Sequence, residues 1–393
     1  MKISNDILYV GVNDHDIDLF EGHYIVPEGM AYNSYVVKGE KTAVMDSVDA
    51  HFADEWIGKV KEAADAPDYL VIQHMEPDHS GSIMGFMEAF PYAKIVSSQK
   101  AFTMMANFFE GEDFADRRVV VKEGDTLDLG GRALSFITAP MVHWPEVIMT
   151  YDATDKVLFS ADAFGRFGAL DEIGETSEED DDWACEARRY YFGIVGKYGP
   201  QVQAVLKKAA KLDIETICAL HGPVLVSDLG YYLGLYDTWS KYESESKGVV
   251  IAYTSVYGNT KKAVELLAEK LEAKGVPEVE VTDLARDDIA EAVEDAFRYD
   301  TVVFATTTFN NGIFPFMREF IDSLVERNYQ NKRLAFIENG SWAPQAAKVM
   351  KGMLEGCKNM TYCENDVKIV SALNDDSRAQ LEALAEELAA AYK

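Results

Sequence analysis

The fold is decided by one stretch of the sequence, Asp68-Tyr-Leu-Val-Ile-Gln-His74-Met-Glu76-Pro-Asp78-His79. An apolar strand, Tyr69–Gln73, runs straight into a loop that carries four potential metal ligands within six residues. A strand end is a stiff platform, so side chains on the loop behind it can converge on one point. Two imidazoles and two carboxylates so close together repel or lose solvation unless a cation lies among them. This stretch therefore predicts a metal site at the end of a buried strand.

Length and composition indicate a soluble protein of two domains. The chain has 393 residues, more than one typical core organises, with 48% hydrophobic and 26% charged residues. Its apolar runs are too short to cross a bilayer, and its first residues do not resemble a signal peptide. The cysteines form no CxxC pair, which argues against a zinc ribbon, a rubredoxin-type iron site or a disulfide framework. We expect a cytoplasmic location.

The charge is strongly acidic and unevenly distributed. A formal net charge of −30 argues against nucleic acid or an anionic membrane surface as a partner. From Gly248 onward, about 24 acidic and about 16 basic residues leave a net charge of roughly −8. The first part of the chain therefore carries roughly −22. Much of this excess lies in the acidic segment 171–182, which we interpret as a solvated loop.

The order of predicted strands and helices divides the chain into domains 1–247 and 248–393. In the first domain, short strands rich in β-branched and aromatic residues alternate with helices, which predicts two sheets with helices outside them. The polar stretch Ser240–Lys247 is interpreted as a linker. In the second domain each strand precedes a helix, which predicts a doubly wound parallel sheet. Its predicted strands are Val249–Tyr253, Val279–Asp283, Thr301–Ala305, Arg333–Ile337 and Val367–Ala372.

More candidate ligands follow other predicted strands of the first domain. The chain has seven histidines. Besides the two in the opening stretch, His143 and His221 each follow an apolar strand-like run, and Asp162 follows the predicted strand Val157–Ser160. One such residue alone is usually a helix cap or a local hydrogen-bond partner. Four of seven histidines in the same kind of position favour one shared site, built by the loops at one end of the sheets.

These residues resemble the metallo-β-lactamase fold in its flavodiiron variant, which implies an N-terminal αββα sandwich. The general pattern of that fold has a histidine where this chain has Glu76, and added carboxylates favour iron or manganese over zinc. The resemblance implies two irons, each with two imidazoles and one terminal carboxylate, and one bridging carboxylate. One iron would be held by His74, Glu76 and His143, the other by Asp78, His79 and His221, with Asp162 as the bridge.

Two further residues, His23 and Tyr191, resemble family residues next to the metal ligands that donate a proton or a hydrogen bond to a bound oxygen species. The alternative is that both are simply packed. His15 and His51 have no such context, and we interpret them as surface residues.

The second domain opens with a strand, a loop rich in hydroxyl groups, and a helix. This loop offers backbone N–H groups and a helix N-terminus to an anion, and it contains neither GxxxxGK[ST] nor GxGxxG. It resembles the FMN-phosphate loop of flavodoxins. Two more segments follow strands at the carboxyl edge, where ligands of such sheets bind. The three segments are Thr254-Ser255-Val256-Tyr257-Gly258-Asn259-Thr260, Thr306-Thr307-Thr308-Phe309-Asn310-Asn311-Gly312 and Asn339-Gly340-Ser341-Trp342-Ala343.

Two aromatic residues of these segments, Phe309 and Trp342, are candidates for stacking on the isoalloxazine ring; the alternative is that they are ordinary loop aromatics. The family more often has a glycine-rich stretch with tyrosine where this chain has Ala305-Thr-Thr-Thr-Phe309. FMN binding is therefore expected, while the contacts and the potential of the flavin stay open.

The resemblance covers essentially the whole chain and implies a flavodiiron oxidoreductase. FMN would pass electrons to a non-haem diiron site that reduces O2 to water, NO to N2O, or both. A head-to-tail homodimer, or a dimer of such dimers, is implied as well. The donor would be external, rubredoxin or a deazaflavin, because the sequence shows no domain of its own for that step. Rubredoxins are usually acidic, so the less acidic second domain is the expected docking face.

Two alternatives belong to other functional classes. A zinc-dependent hydrolase of the metallo-β-lactamase fold with a flavin-sensing domain is disfavoured by Glu76 and by the carboxylate-rich ligand set. A non-catalytic FMN electron carrier is disfavoured because the ligand set is intact. The preference between O2 and NO stays open.

Overall fold

The computed structural model describes residues 1–180 and 182–393, which form two compact units, Met1–Asp237 and Thr238–Lys393. The division falls within the helix Leu229–Ser240. The functional division into 1–247 and 248–393 stays a prediction. No helix in the described part of the chain is both long enough and apolar enough to cross a membrane.

Two sheets pack against each other in the first unit, as predicted. One has the strand order Ile7–Tyr9, Tyr35–Lys38, Thr42–Met45, Tyr69–Val71, Lys94–Ser98 and Arg118–Val121. The other has the order Thr126–Asp128, Ala133–Thr138, Ile148–Asp152, Val157–Phe159 and Thr216–Cys218. Side chains of both sheets share one apolar core, where the rings of Tyr35 and Phe159 lie 5.5 Å apart. Burial of this apolar area holds the two sheets together.

Strand direction brings the ends of several strands to the same edge. Tyr69–Val71 is parallel to both of its neighbours, and Val157–Phe159 is parallel to Thr216–Cys218. Parallel strands end at one edge of a sheet, so the loops that follow them are neighbours in space. The opening stretch, Asp162 and His221 lie on such loops.

Helices with one buried face accompany these sheets. Ala53–Ala63, for example, buries Trp56 and Val60 and exposes its charged residues. A small hairpin pairs Leu19–Phe20 with Tyr24–Ile25, and Val12–Asp14 pairs with Met30–Tyr32. The α-helices are Ala53–Ala63, Pro77–Ser80, Ile83–Ala89, Gln99–Phe108, Leu170–Ile173, Trp183–Tyr190, Gly199–Ala209 and Leu229–Ser240, with a π-helical turn at Tyr191–Val195 and 3-10 turns at Ala50–Phe52 and Gly196–Tyr198.

The second unit is the predicted doubly wound parallel sheet. Its strand order is Val279–Asp283, Ser246–Tyr253, Tyr299–Phe309 and Arg333–Asn339, with Thr361–Tyr362 and Val367–Ile369 both paired to the last of these. The strand Gly312–Ile313 folds back antiparallel on the end of Tyr299–Phe309. The helices are Asn259–Ala273, Ile289–Arg298, Pro315–Glu326, Ala346–Leu354 and Asp375–Ala390. Fully buried side chains of sheet and helices, such as Val303 and Leu267, form the core.

The prediction of a linker at Ser240–Lys247 is wrong in its extent. Ser240 is the last residue of a helix, and Ser246 is the first residue of a strand. Between them, the buried ammonium group of Lys332 donates to Ser244 Oγ at 2.7 Å and to two backbone carbonyls. Ser244 therefore has a buried partner from another part of the chain, which composition alone does not reveal.

The prediction of a solvated loop at 171–182 is also wrong in part. The helix Leu170–Ile173 overlaps its start, and both end residues of that helix are buried. Asp180 lies 2.5 Å from the guanidinium of Arg166, and both side chains are only 4% exposed. Pairing offsets the cost of burying these two charges. Asp181 lies outside the described residues.

Candidate functional site

Every candidate metal ligand lies just beyond the end of a strand. Pro77 starts the short helix Pro77–Ser80, because the first turn of a helix does not use the missing N–H. This helix turns the chain at once, so the side chains before it and within it can face one point. Glu76 is 13% exposed and the other ligands are buried. The structure brings together the full predicted set, which is His74, Glu76, Asp78, His79, His143, Asp162 and His221.

One group of ligand atoms is formed by His74, Glu76 and His143. Glu76 Oε2 lies 3.2 Å from Nε2 of His74 and 3.0 Å from Nε2 of His143. The two Nε2 atoms are 3.3 Å apart. All three groups therefore face one point with the atoms that bind metals, in the combination of imidazole and carboxylate that was predicted.

A second group is formed by Asp78, His79 and His221. The Nε2 atoms of the two histidines lie 3.0 Å apart, and Asp78 Oδ2 lies 3.2 Å from one and 3.3 Å from the other. Asp162 faces both groups: Oδ2 is 3.3 Å from Nε2 of His74, and Oδ1 is 3.3 Å from Nε2 of His79. A carboxylate with one oxygen toward each group has the position of a bridging ligand.

These nitrogen and oxygen atoms cannot satisfy one another by hydrogen bonds, but metal ions among them would satisfy all of them. At each of the two close Nε2 pairs, one proton at most can lie between the nitrogens. Both carboxylate oxygens of Asp78 and of Asp162 are buried, and none of them accepts a well-formed hydrogen bond from the described residues. Buried charged oxygens without such bonds are costly unless a cation compensates them. Cations among these atoms would satisfy oxygens and nitrogens together.

The pKa values of these groups are shifted toward their charged forms. Burial disfavours protonated His143, but the carboxylates of Asp162 and Glu76 outweigh it and raise its pKa to about 9. Burial acts against ionised Asp162, yet His74 and His143 hold its pKa well below the usual range. Metal ligands must give up these protons, because imidazole binds a metal through its neutral nitrogen. Metal binding is therefore expected to release protons.

Sequence reasoning missed Glu146, which lies in the same loop as His143. The Nδ1–H of His74 donates to Glu146 Oε1 at 2.8 Å, and the backbone N–H of Met75 donates to the same oxygen at 2.9 Å. On the other side of the site, the Nδ1–H of His221 donates to the carbonyl of Ala31 at 2.7 Å. A carboxylate three residues after a candidate ligand, in an otherwise apolar loop, was the signal available in the sequence.

Tyr190 was also missed. Its ring lies 5.5 Å from that of His221, and its buried hydroxyl has no hydrogen-bond partner among residues 1–180 and 182–393. Burial and the carboxylates of Asp162 and Glu76 raise its pKa well above the usual value. The predicted neighbour, Tyr191, is fully buried at the start of the π-helical turn, with its ring 5.0 Å from Tyr236. The catalytic role of Tyr191 stays a prediction.

The hairpin Leu19–Ile25 carries the other predicted catalytic residue. His23 is exposed, and its ring lies 4.0 Å from that of Tyr24. Phe20, from the same hairpin, packs its ring 5.4 Å from His221. Partial burial and the Glu76 carboxylate raise the pKa of Glu21 to about 8, so this turn residue is electrostatically coupled to the site. A role for His23 stays a prediction. His15 and His51 are exposed, as expected.

In the second unit, the three predicted loop segments meet at the carboxyl edge of the sheet. They line a cavity of about 280 Å³. Ser255 Oγ accepts the N–H of Gly258 at 3.1 Å and of Lys261 at 3.2 Å, which folds the first loop onto the start of the helix Asn259–Ala273. Gly258 has φ +84°, a conformation that favours glycine. This loop presents N–H groups and the positive end of a helix to an anion.

The neighbouring loops are tied together by hydroxyl groups. Thr254 Oγ1 and Thr306 Oγ1 are 2.6 Å apart, and Thr308 Oγ1 accepts the backbone N–H groups of Gln345 and Ala346. The strand Tyr299–Phe309 is longer than predicted, so Thr307, Thr308 and Phe309 belong to its end.

Most of the predicted flavin residues line this cavity, and one of its residues was missed. Tyr257 and Trp342 beside it are 91% and 81% exposed. Asn310 and Gly312 line a separate cavity of about 640 Å³ on the other side of Phe309. Asn339, the first residue of the third segment, lines the cavity as well. Ser371 was missed, although it follows the strand Val367–Ile369 at the same edge.

Comparison with known proteins agrees with this two-part architecture. Residues 30–222 match the family described as "ODP family beta lactamase", and residues 250–364 match a flavodoxin domain. A nitric oxide reductase of Moorella thermoacetica is 32% identical over 364 residues, which are 91% of this chain and 90% of the relative. A domain of the metallo-β-lactamase type thus precedes a flavodoxin-like domain.

Solved structures extend the similarity to the full length. The rubredoxin oxygen:oxidoreductase of Desulfovibrio gigas is 29% identical and superposes with a TM-score of 0.91 over 100% of this chain and 98% of its own. The flavodiiron protein of Giardia intestinalis, 26% identical, also gives 0.91, over 99% and 96% of the two chains. The chain belongs to the flavodiiron protein family.

Proposed function

We propose that this protein is a flavodiiron oxidoreductase that reduces O2 to water, NO to N2O, or both, with FMN and two non-haem irons as cofactors. The proposal rests on one observation: the buried carboxylate of Asp162 directs one oxygen toward each ligand group. A shared carboxylate between two groups suits two cations that act on one small ligand. Carboxylates beside imidazoles suit iron better than a zinc site of imidazoles alone.

Each of the two ligand groups would hold one iron. One would be held by His74, Glu76 and His143, the other by Asp78, His79 and His221, and Asp162 would contact both. When bound, the iron pair supplies electrons and open coordination positions to a diatomic ligand, and FMN replenishes those electrons.

The protein itself must deliver protons and exclude side reactions. Reduction of O2 to water, or of NO to N2O, consumes protons as well as electrons. Tyr190 supplies a hydroxyl group beside the ligands that has no other partner among the described residues. The rings of Phe20 and Trp144 line the site, 5.4 Å from His221 and 5.2 Å from His74. Such walls limit the escape of partly reduced oxygen species.

FMN would bind in the cavity at the carboxyl edge of the second unit. The loop Thr254–Thr260 would hold the phosphate with its N–H groups and hydroxyls. Phe309, Trp342 and Tyr257 supply aromatic faces for the isoalloxazine ring. The remaining contacts in this cavity would come from Thr307, Thr308, Gly340 and Ser341. The other predicted contacts, Asn310, Asn311, Gly312 and Ala343, are not part of its lining and stay predictions.

The proposed assembly is a homodimer, or a dimer of dimers, in the cytoplasm. Tyr257 and Trp342 leave most of their apolar rings exposed beside the flavin cavity. Exposed apolar groups that cluster at a binding cleft mark an interaction face, and a second copy of the chain would cover this one. Analytical ultracentrifugation tests this, because an active monomer in dilute solution would contradict it. Rubredoxin or another small donor would reduce the FMN.

The decisive experiment uses the protein reconstituted with FMN and iron. It is reduced anaerobically and mixed in a stopped-flow instrument with O2 and with NO separately. Flavin should reoxidise rapidly with at least one gas, and slowly in protein that contains FMN but no iron. Stoichiometric zinc, esterase activity and no gas consumption would instead identify the zinc hydrolase. Equal rates with and without iron would identify an FMN electron carrier.

A further inference from the structure

Glu146 is not itself a candidate ligand, but it accepts a hydrogen bond from the candidate ligand His74. Its side chain is fully buried, and Oε1 accepts the Nδ1–H of His74 at 2.8 Å and the N–H of Met75 at 2.9 Å. A proton held on Nδ1 leaves Nε2 as a lone-pair donor. In His74 that nitrogen faces Glu76 and His143. The carboxylate therefore selects the tautomer that a metal requires.

The two ligand groups differ in how their histidines are supported. The Nδ1–H of His221 donates to a neutral carbonyl, that of Ala31. Nδ1 of His79 is buried and has no hydrogen-bond partner in the described part of the chain. Only a carboxylate partner adds negative charge to the imidazole, which makes it a stronger donor. The His74 group therefore contains the strongest imidazole donor among these three.

Glu146 also links two ligands of the same group. Its loop, 139–147, carries His143, so one chain segment supplies a ligand and the support for its neighbour. Ser98 Oγ donates to the backbone carbonyl of Glu146 at 2.9 Å, which anchors this end of the loop. In the same loop, the ring of Trp144 lies 5.2 Å from the ring of His74 and 6.0 Å from that of His143, so it contacts both ligands.

We infer that Glu146 is a positioning residue that makes the His74–Glu76–His143 site the stronger of the two metal sites. This inference rests on the proposed diiron function. The iron at that site should bind more tightly than its neighbour. It should also be harder to reduce, because a more basic imidazole stabilises the higher charge of the ferric ion.

Two substitutions separate charge from position. Glu146→Gln keeps an oxygen that accepts from both His74 and Met75 but removes the negative charge. Glu146→Ala removes the acceptor altogether. Ser80→Ala is the matched control, because Ser80 is buried at the end of the helix Pro77–Ser80 and its Oγ donates to the backbone carbonyl of Met75 at 2.9 Å rather than to an imidazole nitrogen.

The test is an anaerobic titration of the metal-free full chain with Fe²⁺ against a competing chelator, followed by a redox titration monitored by Mössbauer spectroscopy. Glu146→Gln should weaken one of two iron association constants about tenfold and Glu146→Ala about a hundredfold, each leaving the other constant unchanged. The same iron should become easier to reduce in both variants. Ser80→Ala should change neither property.

Two outcomes would overturn the inference. One is that both Glu146 variants keep the wild-type constants and potentials. The other is that Ser80→Ala reproduces their effect, which would make the effect a general loosening of the chain around Met75. A wild-type protein that takes up two Zn²⁺ but no iron would contradict the proposed function instead. In that case the Zn²⁺ constants of the same variants still decide the role of Glu146.

Discussion

Glu76 and His143 are 67 residues apart in the sequence, and Oε2 of the first lies 3.0 Å from Nε2 of the second. This contact puts a carboxylate where the general metallo-β-lactamase pattern has an imidazole. Each ligand group therefore contains two imidazoles and a carboxylate, and Asp162 adds an oxygen to both. The carboxylates of this donor set are the physical basis for expecting iron rather than zinc, and its two groups are the basis for expecting two ions.

Glu76→His should shift the metal content from iron toward zinc, because it replaces a hard, charged carboxylate ligand by a neutral imidazole. Metal analysis of protein produced with both metals present measures the ratio, and consumption of O2 and NO should fall with the iron content. Glu88→His, at an exposed position on the helix Ile83–Ala89, is the control. An unchanged ratio of iron to zinc in the Glu76 variant would contradict this assignment.

Asp162→Asn should weaken both metal sites at once, because a neutral amide replaces the carboxylate shared by the two groups. We expect the iron content to fall below two per chain and gas consumption to drop by at least about a hundredfold. FMN content should not change. Asp65→Asn, at an exposed position, controls for loss of a charge. Gas consumption that survives the Asp162 substitution would favour the electron-carrier alternative.

Tyr190→Phe should lower the rate of gas reduction by at least about tenfold with the iron content intact, since it removes a hydroxyl beside the ligands. Tyr191→Phe should have a smaller effect, because the ring of Tyr191 packs on Tyr236. Turnover with O2 and with NO, measured for both variants at equal iron content, tests this order. A larger loss in Tyr191→Phe would restore Tyr191 as the donor.

Ser255→Ala should weaken FMN binding about tenfold, because the N–H groups of Gly258 and Lys261 lose their acceptor and the loop is no longer held in its anion-binding shape. Fluorescence titration of the flavin-free protein with FMN measures the change. Iron content should stay constant. Thr361→Ala, an exposed hydroxyl on a short strand, is the control. Equal affinities in the two variants would exclude this loop as the phosphate site.

Lys332 should make stability depend on pH. Burial lowers its pKa to about 7, against about 10.4 in the unfolded chain. Between these values the unfolded chain binds a proton that the folded chain lacks, so the free energy of unfolding rises with pH, by about 3 to 5 kcal/mol in all. Below about pH 7 the folded chain also carries the proton, so the destabilisation caused by burying charged Lys332 is fully present there.

Lys332→Met should remove this contribution, and the exposed Lys368→Met should keep it. Denaturant midpoints of the full chain between pH 6 and pH 10 measure the slope in each variant. Identical slopes in wild type and Lys332→Met would show that the buried amine keeps an ordinary pKa.

The residues that were predictable share one property, which is that each follows an apolar strand. In a parallel or mixed sheet the strand edge collects such residues, so order along the chain predicts proximity in space. This rule found His143 and His221, far apart in sequence, and the flavin loops after Tyr253 and Asn339. It also extends to Ser371, which follows the strand Val367–Ile369 and was overlooked.

Whether the missed residues reach the site depends on the direction in which their side chains point. Tyr190 and Tyr191 are adjacent, and successive residues of a helix point about 100° apart, so only the packed rotation of the helix decides which one faces the ligands. Glu146 is 72 residues from His74, and their contact requires two loops to fold against each other. The buried partners of Ser244 and Asp180 lie 88 and 14 residues away in the sequence, outside the segments themselves, so composition suggested a linker and a solvated loop.

The sequence alone determined the two-domain architecture, the set of metal ligands and the flavin edge, because strand order and residue chemistry are local properties of the chain. Tertiary structure alone decided which tyrosine lies beside these ligands and which histidine is supported by a carboxylate. It also supplied the distances that place Asp162 between the two ligand groups, a division that the family resemblance had implied. Those choices depend on distances of about 3 Å between atoms from separate strands, and only the packing of the two sheets sets them.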